Sequence, residues 1–239
     1  MNPLHLELAV PLTRLVLIGG GEFSFGETRE IDAMLIKSLP KDNKRLAFLP
    51  TASGSAEYAT HIGKYFRELD PEVETINVPV YRVRDARRKK NFDLVRFAGL
   101  IYLGGGVTNN FLAAIRESSV EMAMREAAAD GVTIAAIGAA ASCFGIAARD
   151  MHGIGAGLPG LGWVDGTVIE TGFDAESDAT LRRLMSAEGT RTGVGIPART
   201  AIIVSNDGTA TVAGEGNITV FRKSQAQALQ RDASRGDEH

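Results

Sequence analysis

Five short apolar segments within the first 140 residues constrain the fold of this chain more than any other feature. Three of them end at a glycine, and amphipathic helical patterns such as Ala56–Leu69 separate them. Alternating strands and helices are typical of a mainly parallel sheet with helices on both faces. Functional sites of such folds lie at the carboxyl ends of the strands, where the glycines of this chain also lie. The segments are Leu15–Ile18, Arg45–Leu49, Val73–Val78, Gly99–Leu103 and 131–137.

The pattern changes after Asp150, where glycine-rich sequence predicts a long loop over His152–Gly166. A helix is expected over Ala175–Ala187, and the last two strands are expected to pair around Gly214–Gly216. We therefore predict a single α/β domain over residues 14–223, with a leader at 1–13 and a polar tail at 224–239. The later strands are expected at Trp163–Thr171, Val194–Val204, Thr209–Ala213 and Asn217–Phe221.

Composition excludes several classes of function. The 239 residues carry a net charge of −3, one cysteine and no apolar run of membrane-spanning length. We therefore expect a cytoplasmic protein that binds neither nucleic acid nor membrane, and we interpret the basic run Arg82–Lys90 as a solvated surface. The four histidines are scattered, so no metal is expected. Gly155–Gly160 matches a dinucleotide-binding pattern but follows no strand, so no cofactor is expected.

Residues 131–148 predict a buried strand that turns sharply into a helix. The apolar run ends at Gly138, and small residues follow. Several hydrolase folds place their nucleophile at such a turn, because small residues on both sides let the backbone bend tightly. The expected centre of this turn, Ala140, carries no nucleophile.

Several motifs in a fixed order resemble the dipeptidase E and cyanophycinase family of serine peptidases. They are Ile18-Gly-Gly-Gly-Glu22, Glu27-Thr-Arg-Glu-Ile-Asp32, Phe48-Leu-Pro-Thr-Ala-Ser53 and Tyr102-Leu-Gly-Gly-Gly106, followed by the turn at 131–148. The resemblance covers about residues 14–222 and implies a class I glutamine amidotransferase-like fold with a flavodoxin-like core.

The catalytic positions implied by this resemblance lack their reactive side chains. The family's nucleophile turn runs Gly-x-Ser-Ala-Gly-Ala, and alignment on Gly138 puts Ala140 at the serine. Gly172 stands at the histidine position, and Ala198 stands where the family has an acid. Val107 replaces a polar residue of the family, although Thr108 still fits.

A serine peptidase needs a hydroxyl nucleophile and a base. The resemblance therefore implies a pseudoenzyme, a binding or regulatory protein that retains a pocket for a carbonyl or carboxylate group. Its ligand is expected to be a small peptide or carboxylate, and a protein partner or a homodimer is also expected. The pocket residues are expected to be Gly105, Gly106, Val107, Thr108, Ala140 and Ala141.

An active peptidase or amidase that uses Cys143 or Ser142 as nucleophile remains the alternative. Ala141-Ser-Cys143-Phe-Gly145 reads as a nucleophile between small residues, and a thiol at a helix start would be reactive. His152 is the nearby candidate for a base. The competing interpretation of Cys143 is a buried thiol that packs as a small apolar side chain.

Overall fold

A computed structural model of this chain describes residues 4–153 and 157–223, and the elements named below lie in these ranges. The strands are β1 (Leu4–His5), β2 (Arg14–Ile18), β3 (Arg45–Leu49), β4 (Glu74–Asn77), β5 (Leu100–Leu103), β6 (Thr133–Ile137), β7 (Ala147–Ala148), β8 (Leu158–Pro159), β9 (Thr167–Thr171), β10 (Thr192–Ile196), β11 (Thr200–Ser205), β12 (Thr209–Gly214) and β13 (Thr219–Arg222). The helices are α1 (Arg29–Lys37), α2 (Ala56–Leu69), α3 (Lys89–Arg96), α4 (Thr108–Ile115), α5 (Ser119–Ala129), α6 (Ala139–Ser142) and α7 (Ala179–Leu184). Short 3-10 helices lie at Phe23–Phe25 and Asp85–Arg87.

The central sheet has the order β1-β12-β11-β2-β6-β5-β3-β4. The five strands from β2 to β4 in this order are parallel, and β11, β12 and β1 add antiparallel strands at one side. The prediction of an α/β fold with a mainly parallel sheet and extra C-terminal strands is confirmed. All five early strands lie where the apolar segments predict them.

Successive side chains of each strand point to opposite faces of the sheet, where they pack against two layers of helices. Val16 and Ile18 of β2 pack with apolar residues of α1 and α2 on one face. Leu15 and Leu17 pack on the other face with residues from α3 to α6. The stripe Ile31, Leu35 and Ile36 shows why α1 forms there, since this spacing puts all three side chains on one side of a helix.

A smaller sheet, β13-β10-β9, carries α7 on one face. Here two expectations are wrong. The single strand expected over Val194–Val204 is two strands, because β10 ends before Pro197 and β11 enters the central sheet. The hairpin around Gly214–Gly216 does not form, because β12 pairs with β11 whereas β13 pairs with β10.

The N-terminal segment packs against the domain. Leu6, Val10 and Leu12 are buried in the main core, and Leu8 forms a bridge with Val164. The tail predicted at 224–239 and residues 154–156, which include Gly155, lie outside the described residues. None of the helices described here has both the length and the apolar character needed to cross a membrane.

Candidate functional site

The chain turns from β6 into α6 at Gly138. This residue has φ 58° and ψ −125°, a backbone conformation that glycine adopts far more readily than other residues. Its N–H donates to the carbonyl of Ile18 at 2.9 Å, which fixes the turn against the end of β2. A Cβ placed on Gly138 would lie 3.9 Å from the Gly105 Cα, so the position has room for a side chain.

The turn is therefore centred two residues before the expected position. Ala140 is not its centre but the second residue of α6, and its side chain is buried in the core. Ala141 is buried in the same way. Both residues were expected to line a ligand pocket, and the structure instead packs their methyl groups against apolar side chains.

Three chain segments meet the end of β2 beside this turn. The N–H of Gly172 donates to the carbonyl of Gly19 at 2.7 Å. A Cβ on Gly19 would lie 2.0 Å from the carbonyl oxygen of Pro197, so the Pro197–Ala198 segment runs directly against it. Gly138 is held by its hydrogen bond to Ile18, the last residue of β2. Gly138, Gly172 and the Pro197–Ala198 segment are thus close together, and none of these residues carries a polar side chain.

The loop after β5 lines the opposite side of the turn. A Cβ on Gly105 would be 3.4 Å from the Ile137 carbonyl oxygen, so Gly105 faces the turn closely. Gly106 packs tightly on the backbone of Ala52. Val107 donates its N–H to Ala52, and the Thr108 hydroxyl donates to the Arg149 carbonyl at 2.5 Å. Of the four expected pocket residues in this loop, Gly105 contacts the turn. The contacts of Gly106, Val107 and Thr108 instead hold the loop in place.

Cys143 and Ser142 lie at the end of α6 instead of at the turn. The Cys143 thiol contacts the Ala139 carbonyl oxygen at 3.1 Å, and the Ser142 hydroxyl donates to the same oxygen at 2.9 Å. Cys143 is fully buried, and this burial raises the pKa of its thiol well above the ordinary value. His152 lies on an exposed loop, where its backbone N–H donates to the Asp150 carboxylate.

Sequence reasoning missed Tyr58, which lies beside the glycines of the β5 loop. A Cβ on Gly104 would come within 2.8 Å of the Tyr58 ring. The pKa of Tyr58 is raised to about 12, mainly by burial; the Gly105 backbone acts against this shift, and the charges of Glu22 and Asp32 add to it. Tyr58 precedes Ile62 by four residues on the inner face of α2, so helical periodicity could have identified it.

The buried carboxylate of Asp32 links the elements that pack around it. Asp32 accepts hydrogen bonds from the hydroxyls of Thr28 at 2.6 Å, Tyr65 at 2.8 Å and Tyr102 at 3.1 Å. Thr28 immediately precedes α1, Tyr65 lies in α2 and Tyr102 lies in β5. The carboxylate of Asp32, which lies in α1, therefore links three elements. Burial outweighs these hydrogen bonds and raises the pKa of Asp32.

An ion pair holds the loop after β2. The Arg199 guanidinium pairs with Glu27 at 2.6 Å, and the backbone N–H of Arg199 donates to the Gly20 carbonyl. Glu27 also accepts the N–H of Glu22 at 2.7 Å. This backbone hydrogen bond is the main cause that lowers the pKa of Glu27, and Arg199 adds to it. Arg199 has a positive φ of 58°, a strained conformation for a residue with a side chain.

The described residues contain no cluster of three or more histidine, cysteine, aspartate or glutamate side chains that could hold a metal. A groove of about 380 Å³ lies beside α4 and β8. Its lining includes Asn109, Leu112, Arg116 and Leu158, but neither Gly138 nor Gly172.

Comparison with known proteins identifies relatives along most of the chain. Residues 15–212 match the model of peptidase family S51. An uncharacterized peptidase, YgaJ of Bacillus subtilis (strain 168), is 30% identical over 173 residues, which are 70% of this chain and 71% of that protein.

Two crystal structures share the fold. One is a peptidase from an acI-B1 Actinobacterium, with a TM-score of 0.75 and 19% identity, covering 91% of this chain and 94% of that one. The other is a putative peptidase E protein from Listeria monocytogenes EGD-e, with a TM-score of 0.56 and 17% identity, covering 89% and 100%.

Proposed function

This chain belongs to peptidase family S51, and on that premise we propose that it binds a small carbonyl or carboxylate ligand without hydrolysing it. The observation that carries this proposal is the identity of the residue at the turn. Nucleophile turns of α/β hydrolases follow the pattern small-x-nucleophile-x-small, with the nucleophile on the strained residue. Here the strained residue is Gly138, between Ala136 and Ala140.

The proposal does not depend on the choice of alignment. The register of the turn puts Gly138 at the nucleophile, whereas the sequence motif puts Ala140 there. Neither residue has a hydroxyl or thiol that could attack a carbonyl. Removal of the nucleophile from a serine peptidase lowers turnover by about a millionfold.

The residues at the other catalytic positions also support a protein that does not hydrolyse its ligand. By the family resemblance, Gly172 corresponds to the catalytic histidine and Ala198 to an acid, and neither residue carries an imidazole or a carboxylate. In hydrolases, backbone N–H groups beside such a turn bind the carbonyl oxygen, and we propose that those at the start of α6 do so here. A pocket with these donors but no nucleophile can hold a carbonyl group without cleaving it.

The alternative, hydrolysis through Cys143 or Ser142, has less support. A nucleophilic thiol must be accessible and partly ionised near neutral pH. Burial of Cys143 raises the pKa of its thiol, and its contact with Ala139 directs it toward the helix backbone. Ser142 makes the equivalent hydrogen bond.

The test is a binding titration with an aspartyl-leucine dipeptide, followed by NMR of the labelled protein and by mass spectrometry of the recovered dipeptide. We expect saturable binding with resonance shifts around the turn, and recovery of the dipeptide intact. Gly105→Leu should abolish binding, because its Cβ would meet only ordinary contacts and its side chain would extend beside the turn. Ala113→Leu, on the exposed side of α4, is the control for added bulk.

Two results would contradict the proposal. One is the absence of binding of any small peptide or carboxylate near the turn. The other is binding that Gly105→Leu leaves unchanged, because the ligand would then lie elsewhere.

A further inference from the structure

The segment Arg82–Lys90, called the basic patch below, concentrates positive charge on a chain that is acidic elsewhere. It runs from the loop after β4 into the first turn of α3. It contains six basic residues and one acidic residue, Asp85, and therefore has a net charge of +5. The whole chain has a net charge of −3, so the rest of the chain carries −8. All six basic residues are exposed.

Most of this positive charge has no acidic partner within the chain. Arg88 pairs with Asp85 at 3.3 Å, and Lys89 pairs with Asp93 at 2.6 Å. Within residues 4–153 and 157–223, the other four basic side chains form no ion pair; they are Arg82, Arg84, Arg87 and Lys90. Like charges held close together repel one another, so an anionic group bound among them would be stabilised.

The backbone places two of these unpaired side chains on the same side. Arg84 has helical backbone angles and immediately precedes the 3-10 helix Asp85–Arg87. Side chains three residues apart on a 3-10 helix lie on one side, about 6 Å apart along the axis. Glutamates three or four residues apart on an α-helix are separated by about 5–6 Å. Two such carboxylates therefore match the spacing of Arg84 and Arg87.

Buried groups hold the basic patch in this conformation. The Asp85 carboxylate accepts the backbone N–H groups of Tyr81 at 3.4 Å and Arg82 at 3.1 Å. The buried side chain of Asn91 donates to the Asp85 carbonyl at 2.9 Å, and Ala86 is fully buried in the main core. Because the backbone is already ordered, a partner does not have to order it on binding, and the entropic cost of association is lower.

We propose that the basic patch is a docking surface for an acidic α-helical segment of a partner protein. A DNA duplex carries one negative charge per about 1.7 Å of its length, so it would extend beyond the patch toward the rest of a chain that carries −8. Membrane-binding segments insert large apolar side chains into the lipid, and the patch exposes Val83 as its apolar side chain. A short acidic helix matches both the extent and the charge of the patch.

This proposal is independent of the ligand at the turn. The strand β4, which leads into the basic patch, is separated from β6 by β5 and β3 in the central sheet. Binding of an acidic segment therefore requires neither Gly138 nor the loop that contains Gly105.

The test measures binding of a fluorescent α-helical peptide with a glutamate at every fourth position, at about 50 mM salt. The patch variant combines Arg82→Gln, Arg84→Gln, Arg87→Gln and Lys90→Gln. Each exposed ion pair contributes modestly, and the loss of four should weaken binding about tenfold. The double variant Arg84→Gln/Arg87→Gln removes fewer charges and should weaken binding about threefold. The fluorescence of Trp163 shows whether each variant is folded.

A control variant separates the basic patch from net charge. It replaces four exposed basic residues on or near α1 and α2, which form no ion pair within the described ranges, by glutamine; they are Arg29, Lys37, Lys41 and Lys64. Its net charge equals that of the patch variant, and we expect it to bind the peptide within about twofold of the wild type, because distant charges are screened by salt.

Three results would overturn the proposal. The first is a wild type that does not bind the acidic peptide. The second is equal weakening in the patch variant and the control variant, which would mean that net charge alone attracts the peptide. The third is tighter binding of the wild type to a short DNA duplex or to phosphatidylserine vesicles than to the peptide, which would assign the basic patch to nucleic acid or to a membrane.

Discussion

Replacement of Asp32 should destabilise the fold by a predictable amount. Its carboxylate accepts three hydroxyl hydrogen bonds in the fully buried interior. Each buried hydroxyl left without a partner costs about 1–3 kcal/mol. Asp32→Ala leaves three, and some of them will bond to one another or to water, so we expect a loss of about 3 kcal/mol. Asp32→Asn keeps one acceptor oxygen and should cost about 1 kcal/mol.

The pH dependence of this effect has a definite sign. Because the folded pKa of Asp32 is raised above its ordinary value of 3.8, the native state binds the proton more tightly than the unfolded state. The resulting stabilisation is fully present below the ordinary pKa and is lost as the pH rises through the window up to the folded pKa. Asp32→Asn lacks this proton, so the advantage of the wild type over it should shrink as the pH rises above the ordinary pKa of 3.8.

Urea unfolding at several pH values measures both effects. The fluorescence of Trp163, the single and fully buried tryptophan, reports the transition. Titrations of other groups are shared by the wild type and the variant, and they cancel in the difference. An advantage of the wild type that grows with pH would contradict this prediction, because it would mean that the three hydroxyl donors outweigh the cost of burying the charge.

Two further predictions concern Cys143 and the close approach of the chain at Gly19. Iodoacetamide should modify Cys143 slowly in the folded protein from pH 6 to 9 and rapidly after denaturation, because burial raises the thiol pKa; rapid labelling of native protein at pH 6–7 would restore the alternative of a cysteine nucleophile. Gly19→Ala should lower the free energy of unfolding by about 3 kcal/mol or more, since its Cβ would lie 2.0 Å from the Pro197 carbonyl. Gly105→Ala, which meets ordinary contacts, should cost less than about 1 kcal/mol, and equal melting temperatures for the two variants would count against the close approach at Gly19.

The early half of the fold could be predicted from sequence because its pattern is strong. The helix expected over Ala56–Leu69 has those bounds in the structure, since its apolar spacing and the Ser55 cap agree. The later half was harder to predict. Pro197 interrupts an apolar run, and the chain reverses there through the positive φ of Arg199 before entering a different sheet. Strands pair with partners that are distant in sequence, so the apolar run itself does not indicate that it forms two strands in different sheets.

The turn from β6 into α6 was predicted in its place but not in its register. Residues 135–141 are mostly alanine, so no change of side-chain type marks where β6 ends and α6 begins. The backbone angles of Gly138 decide this, and they are a property of the folded chain. Tyr58 was missed for a different reason, because an aromatic residue on the inner face of a helix has the same pattern whether it packs or binds.

An assay of amine release shows directly whether this chain hydrolyses peptides. The substrates are aspartyl dipeptides, isoaspartyl dipeptides and a cyanophycin-like polymer. The wild type and Gly105→Leu should be purified in the same way and assayed side by side. Because Gly138 supplies no nucleophile, we predict no release above background from either protein. Turnover that survives repurification of the wild type and disappears in Gly105→Leu would contradict this prediction, because it would show that the turn is an active site.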